Sequence, residues 1–403
     1  MSGATVDPRL SSGHAAPKKP LKLSWSDPRI RNLVYQVAII GAVVLLVYYL
    51  ASNTHRNLTE RHIATGFGFL GQTAAIPIGE SLLPYTPSVS TYGWALLIGL
   101  LNTLKVAVVG VILATIWGTL LGIARLSKNW LLARLSACYV EGLRDIPLLL
   151  QLFFWYGLLQ TLPAPRQAFH PVTGLFLSNR GIKLPLLHLE AAHGWAFAAF
   201  LLGLVGTIVW SRSAARKQAE TGVRPRTWPV ALGLLVALPL IVWAALGAPF
   251  QPDIPVLRGF NFQGGGTVTP EYAALLIGLV IYTASYIAEI VRSGIQSVAQ
   301  GQWEAAGALG LPGGQVLRLV ILPQALRVII PPMTSQYLNL IKNSSLAVAI
   351  GYQDIVSIAN TTLNQTGQAI EGIVIIMVVY LTFSLSISAF MNWYNTHIAL
   401  VER

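Results

Sequence analysis

Eight stretches of the chain stay apolar for about the 20 residues that a helix rising ~1.5 Å per residue needs to cross a hydrocarbon layer roughly 30 Å thick. They lie near 33–51, 93–123, 139–161, 193–210, 228–247, 272–291, 328–350 and 370–392. Lipid offers no solvent for unpaired backbone groups, and no run of alternating barrel strands occurs between turns. The pattern therefore predicts an all-α integral membrane protein of about eight transmembrane helices. Between the spans, residues 52–91 are rich in Gly, Thr and Pro, and 162–192 and 248–270 read as further loops, the last containing Gln263-Gly264-Gly265-Gly266.

Composition excludes the soluble classes. Of the 403 residues, 54% are hydrophobic and 10% charged, against roughly 25% charged in a soluble globular protein. The net charge of +12 is diluted through aliphatic sequence and not clustered as in nucleic-acid binders. The single cysteine, Cys138, excludes an internal disulfide or a thiolate metal cluster. Sorted by loop, 19 of the 27 Lys and Arg fall on one side of the predicted membrane and six on the other, with Lys105 and Lys342 inside spans. The positive-inside rule then places both termini in the cytoplasm, as an even number of spans requires. Residues 1–32 are too polar and too long for a secretory signal, and Val34–Leu50 runs on without a small-residue cleavage site; they read as a cytoplasmic tail and a permanent anchor.

The interval 301–323 between the sixth and seventh spans breaks the hydrophobicity. Trp303, Ala306/Gly307 and Gly310 recur at helical spacing, and Gly310 followed by Pro312 is a stop signal. Val316, Leu319/Val320 and Pro323 mark a second amphipathic piece, so local physics predicts helix, turn, helix. On pattern alone an interfacial helix lying on the bilayer fits equally well.

A resemblance selects between these. Glu304-Ala305-Ala306, three residues, Gly310, nine residues and then Val320-Ile321-Leu322-Pro323 resembles the EAA loop of ABC importer permeases, with Val320 at the family's isoleucine position. Tyr286-Ile-Ala-Glu289-Ile-Val-Arg292-Ser-Gly294-Ile295 is similar to the polar amino-acid uptake branch. So are Leu101-Asn102-Thr103-Leu104-Lys105 with Gly118 and Gly122, and Glu141-Gly-Leu-Arg144-Asp145-Ile-Pro147-Leu-Leu-Leu-Gln151, where Asp145-Ile146 replaces the commoner Gly-Thr. Lys342-Asn343-Ser344-Ser345-Leu346 completes the set. With its length and an inserted helix pair, the chain most resembles the larger permease subunits of general L-amino-acid transporters.

The resemblance implies a type I importer (MetI-like) core of five helices in 93–161 and 271–403. Around it come a tail (1–32), an extra first helix and loop (33–92) and an insertion (162–270) with two further helices. It implies partners: two copies of an ATP-binding subunit docking on the coupling loop, a second homologous permease subunit, and a periplasmic amino-acid-binding protein, in a bacterial inner membrane. ATP and Mg would be bound by the partner ATPase. A small face of Ala305, Ala306 and Ala308 would permit close helix contact, Glu304 would offer charge to a basic partner, and Gly310 would let the chain turn.

Other residues carry two readings. A lysine inside a span costs about 2.5–3.5 kcal/mol on insertion scales. Lys342 is therefore either a residue of the translocation path, meeting a substrate carboxylate, or a buried cation satisfied by carbonyls, Asn343 or Ser344. Asn343, Ser344 and Ser345 join it as path candidates. Tyr282, Tyr286 and Glu289 share one face of the sixth span, as a path-lining stripe or as a packing seam with Glu289 bridged to Arg292. Lys105 pairs or snorkels near a helix end, Gly110, Gly118 and Gly122 let helices approach, and Arg144 and Asp145 pair with each other or with the coupling region in a structural role.

Three absences in the sequence shape the function. There is no phosphate-binding Gly-x-x-x-x-Gly-Lys-Ser/Thr loop, no nucleophile elbow, and no helical pairing of the seven histidines that suits a metal. The chain thus reads as a transport subunit with no catalytic residues, no metal and no cofactor of its own. A secondary transporter coupled to ions or protons, using Lys342, Glu289 and Asp354 as relays, is the competing class; an intramembrane enzyme comes after it.

Overall fold

The computed structural model describes residues 28–60, 65–187, 190–223 and 225–398. Most of the predicted tail, together with Arg61, His188, Arg224 and Arg403, lies outside the described residues. The chain divides into two compact units, 1–65 and 66–403. The first contributes helix α1 (Pro28–Glu60), longer at both ends than the predicted span.

In the second unit, α2 (Tyr92–Arg125) begins where Thr91 caps the Trp94 amide. After α3 (Trp130–Asp145) and α4 (Leu148–Gln160) come four short strands, β1 (Phe169–Val172), β2 (Leu175–Ser178), β3 (Gly181–Leu184) and β4 (Leu186–Leu187). The inserted pair is α5 (Ala191–Thr221) and, joined by a wide turn at Gly233–Ala237, α6 (Trp228–Leu232) and α7 (Leu238–Ala245). Strands β5 (Pro252–Asp253), β6 (Val256–Arg258), β7 (Asn261–Gln263) and β8 (Gly266–Val268) lead to α8 (Pro270–Gln296). The chain closes with α9 (Gln300–Ala308), α10 (Gly313–Gln315), α11 (Leu322–Asn343), α12 (Ile355–Thr366) and α13 (Ala369–Ile398). Among the described residues, seven helical segments are long and apolar enough to cross a membrane.

Helices α2 and α8 form the centre because glycines let their backbones meet. A Cβ on Gly118 would lie 2.6 Å from Ile287 Cβ, and one on Gly122 2.8 Å from the Ala288 carbonyl. This is the close approach predicted from the sequence. Helix α4 lays Leu152 over Gly278 of α8, and α11 lays Ile329 over Gly294 and Leu340 over Gly110.

Four features depart from the sequence expectation. The third predicted span, 139–161, is two helices. Proline has no amide hydrogen and forces its predecessor out of the helical region; Ile146 is extended at ψ 124° ahead of Pro147. Gln151 covers the break, its amide donating to the Leu143 and Ile146 carbonyls at 2.9 and 3.0 Å.

The second amphipathic piece of 301–323 is not a separate helix. Residues Val316–Ile321 form a wide π turn that joins α10 directly to α11, with the Leu322 amide bonding the Leu317 carbonyl five residues back. Pro323 follows it as Pro239 follows the other wide turn. In both places the extra residue lets the helix bypass a missing donor.

The seventh crossing is also longer than the predicted 328–350. After α11 a 3-10 segment, Ser344–Ile350, and the left-handed Gly351 (φ 80°) turn the chain into α12, a helix that none of the predicted spans includes. These pieces climb beside α2: Leu340 lies at Gly110, Ile355 at Gly99, and Tyr92 donates to Gln365 at 2.9 Å.

Finally, the two loops flanking the inserted pair are not irregular. They pair with each other in a four-stranded antiparallel sheet of order β1-β2-β3-β8, with Ile182 opposite Val268, and in the small ladders β4-β5 and β6-β7. All-α holds for the spans, and this sheet is the correction outside them. Inside the insertion, α5 meets the wide turn at Gly203, where a Cβ would sit 2.0 Å from the Leu234 carbonyl.

Candidate functional site

Coupling loop. Helix α9 ends at Gly310, whose φ of 72° is one that only glycine adopts freely, with its amide donating to the Gly307 carbonyl at 2.9 Å. Ala306 is 3% exposed and packs with Val298, Val316 and Ile321. The small face is thus split: Ala306 fixes the helix to its own chain, while Glu304, Ala305 and Ala308 face outward. Trp303 is 38% exposed and Leu309 80%. Leu322 and Pro323, at the start of α11, are exposed as well. A short helix therefore presents one carboxylate, small residues and two large apolar side chains at a surface that none of the described residues covers.

Charges at the Arg125 end. Glu289 is shared by two arginines, bonding Arg125 of α2 and receiving Arg292 Nη2 at 2.5 Å. Arg125 also reaches Glu141 of α3 at 3.8 Å. Tyr282 and Tyr286 bond each other, hydroxyl to hydroxyl, at 3.1 Å. The Arg144 guanidinium lies 4.8 Å over the Tyr286 ring, and no ion pair joins it to Asp145. Glu141, Arg144, Asp145 and Tyr286 line a cavity of about 330 Å³. This knot ties α2, α3 and α8 together directly before α9. We expect Glu289→Gln to lower stability by about 1–3 kcal/mol, the range for losing hydrogen bonds to a charged group. A thermal-unfolding midpoint unchanged from wild type in purified protein would contradict it.

A clamp at the other end. Lys105 is ion-paired with Glu80 and sits 4.1 Å over the Tyr272 ring, while Thr269 donates to Glu80 at 2.9 Å. Asn102 donates to the carbonyls of Glu80 and Gln353, both at 2.9 Å. Gln353 accepts from the Gly79 amide and donates to the Pro77 carbonyl, both at 2.6 Å. Residues 77–80 are thereby strapped over the turn between α11 and α12, beside a cavity of about 190 Å³. Tyr85 steadies the same loop by donating to the Ile76 carbonyl at 2.8 Å, and burial pushes its phenol above the ordinary value. The sequence reading missed Glu80. The available signal was charge balance, since Glu80 is the only carboxylate between residues 61 and 140 and Lys105 is a lysine within a span.

Around Lys342. Its side chain is exposed and has no hydrogen-bond or ion-pair partner among the described residues, so the reading as a buried, internally satisfied cation does not hold. Ser344 and Ser345 turn back to the carbonyls of Ile341 and Lys342, each at 2.7 Å, and close the end of α11. Asn343 is half-buried. The relay of the competing class is not assembled. Asp354 spends a carboxylate oxygen capping α12 through the Ser357 amide at 2.8 Å, next to Gly99 of α2. Glu289 is bound at Arg125, about 39 Å along the same helix at ~1.5 Å per residue.

Comparison with known proteins identifies the family. A family model described as the binding-protein-dependent transport system inner membrane component matches residues 227–399. The chain is 50% identical to the general L-amino acid transport system permease protein AapQ of Rhizobium johnstonii, over 94% of each chain. The chain belongs to the family of amino-acid ABC transporter permeases. The permease is also 51% identical to the putative amino-acid ABC transporter permease protein YhdX of Escherichia coli, over 94% of this chain and 97% of that one. It is 40% identical to the glutamate/glutamine/aspartate/asparagine transport system permease protein BztB of Rhodobacter capsulatus, over 96% and 98%. The permease is a multi-pass membrane subunit of an ATP-driven importer, and the family's partners are ATP-binding and permease subunits.

Proposed function

We propose that this permease imports polar L-amino acids across a bacterial inner membrane, with both termini in the cytoplasm. It pairs with a second, homologous permease subunit, and two copies of an ATP-binding subunit dock on the α9 loops. A periplasmic binding protein delivers the substrate. The observation that carries the reading is α9: a helix anchored by Ala306 whose Glu304, Ala305, Trp303 and Leu309 remain uncovered. Its distance from the spans is bridged by the wide turn into α11, so a push on α9 is transmitted along α11 to the middle of the membrane. ATP and Mg are bound by the partner, and this chain supplies no cofactor site and no covalent chemistry. Tyr282, Tyr286, Lys342 and Asn343 belong to the translocation path, while Ser344 and Ser345 shape its turn.

Two experiments test this. Gentle purification from native membranes should bring down an ATP-hydrolysing subunit and a second permease; recovery of the chain alone contradicts the assembly. Uptake by the reconstituted complex, measured against a panel of acidic, amide, neutral and basic L-amino acids, should be strongest for the polar ones. No uptake of any member of the panel contradicts the substrate class.

A further inference from the structure

The inserted helix pair ends in a basic turn that none of the described residues neutralises. Helix α5 carries its apolar stretch as far as Trp210 and then runs on to Thr221. There Gly222 (φ 74°) donates its amide to the Gln218 carbonyl at 2.9 Å and turns the chain back towards α6. Residues 211–227 hold Arg212, Arg216, Lys217, Arg224 and Arg226 against one carboxylate, Glu220. Arg212, Arg216, Lys217 and Arg226 are exposed, and none has a side-chain partner among the described residues. Ala214 is 2% exposed, and Arg212 and Arg216 lie two residues to either side of it, about 200° round the helix. They therefore share the face of α5 turned away from the packing at Ala214.

The side this turn occupies follows from the sheet. Strand β3 leads through β4 into α5, β8 leads into α8, and β3 and β8 pair with each other. Both helices start from that sheet and are long enough to cross the membrane, so the basic turn lies on the same side as α9. Two tryptophans set its depth. Trp210 on α5 and Trp228 at the start of α6 are 37% and 65% exposed, and tryptophan prefers the headgroup level of a bilayer. Arg212, Arg216 and Lys217 follow Trp210 by ~3, ~9 and ~10 Å along the helix. Arg226 stands two residues before Trp228. Headgroups occupy roughly 5–8 Å on each side of the hydrocarbon, which these long side chains reach. No residue of Trp228–Ala245 is buried, leaving that arm of the pair open to lipid.

We infer that this basic turn binds the headgroups of anionic phospholipids, with Arg212 and Arg216 clasping one phosphodiester and Lys217 and Arg226 adding charge beside it. Guanidinium groups suit the task because their forked donors match phosphate oxygens. A zwitterionic headgroup brings its own cation, which the turn repels, whereas an anionic one does not. A docked protein is the other occupant that such charge could serve. The headgroup depth favours lipid, and the uncovered surface of α9 has a different chemistry, one carboxylate among small and apolar side chains. Lipid held here fixes the end of a helix pair that packs on itself, Gly203 against the Leu234 carbonyl. The inference does not depend on which solute the permease carries.

The test uses the full-length permease in its assembled importer, offered equal amounts of phosphatidylglycerol and phosphatidylcholine, with bound lipid counted by native mass spectrometry. The wild type should hold phosphatidylglycerol in preference. Each Lys or Arg near an anionic surface strengthens binding about fivefold, so Arg212→Gln with Arg216→Gln should weaken phosphatidylglycerol binding about 25-fold and leave phosphatidylcholine binding unchanged. Arg212→Lys with Arg216→Lys keeps the charge and should keep the preference. A second measurement needs no variant: in nanodiscs, amide hydrogen exchange across 211–227 of the wild type should be slower with phosphatidylglycerol present than in phosphatidylcholine alone. Equal binding of the two lipids by the wild type would overturn the inference. So would a preference unmoved by the double glutamine variant, or exchange indifferent to the lipid. Loss of the ATP-binding subunit from that variant, with its lipid preference intact, would assign the face to a docked protein and overturn the inference as well.

Discussion

Replacing Glu304 with lysine should release the ATP-binding subunit while leaving the permease folded in the membrane. Glu304 is exposed on α9 and bonds none of the described residues, so the substitution disturbs no contact among them. Charge reversal at a desolvated contact typically costs 2–5 kcal/mol, which at about 1.4 kcal/mol per tenfold weakens association by tenfold or far more. Co-purification of the ATPase with tagged permease, together with stimulated ATP hydrolysis, checks it. Undiminished values for both would show that α9 does not carry the coupling. Ala306→Glu should behave differently, because that position is 3% exposed among Val298, Val316 and Ile321 and a charge there disrupts folding itself.

The second large effect lies at the centre of the spans. Gly118→Leu should prevent α2 and α8 from closing, because even the first added carbon would lie 2.6 Å from Ile287 Cβ and 2.8 Å from the Ala284 carbonyl. Overpacking a tight core ordinarily costs about 1–3 kcal/mol, and here a backbone atom blocks relaxation, so the upper end or more is expected. Gly142→Leu is the matched control: nothing lies within 4 Å of the carbon it would add. Size-exclusion profiles of detergent-solubilised protein before and after heating should separate the two. A Gly118→Leu variant as heat-stable as the Gly142→Leu variant would contradict the packing described.

Much of this architecture is legible in the chain because the membrane simplifies the code. Apolar length marks spans, and glycines at helical spacing mark where spans touch, as Gly118 and Gly122 do. The failures share a cause, which is compensation at a distance. Pro147 breaks the predicted span 139–161 just after the charged Glu141, Arg144 and Asp145, and the break is stable because Gln151 bonds both freed carbonyls. Strands β3 and β8 are four and three residues long and separated in sequence by the whole inserted pair, so neither has a local signal. Helix α12 is short and largely polar in sequence; its ends are fixed by Asp354 and the left-handed Gly367. At the site, Glu304 and Gly310 were found by motif. The division of the small face was not, because which alanine turns inward depends on how α9 meets the wide turn at Val316–Ile321. The Lys105–Glu80 pair needed the loop to fold back onto α2.

The most direct test of the account is the energy source. The permease, assembled with its ATP-binding and binding-protein partners in sealed proteoliposomes, is given labelled L-glutamine with either enclosed ATP or an imposed proton gradient. The account predicts accumulation with ATP that persists when an uncoupler collapses the gradient, and none with the gradient alone. Uptake that follows the proton gradient and ignores ATP would contradict it.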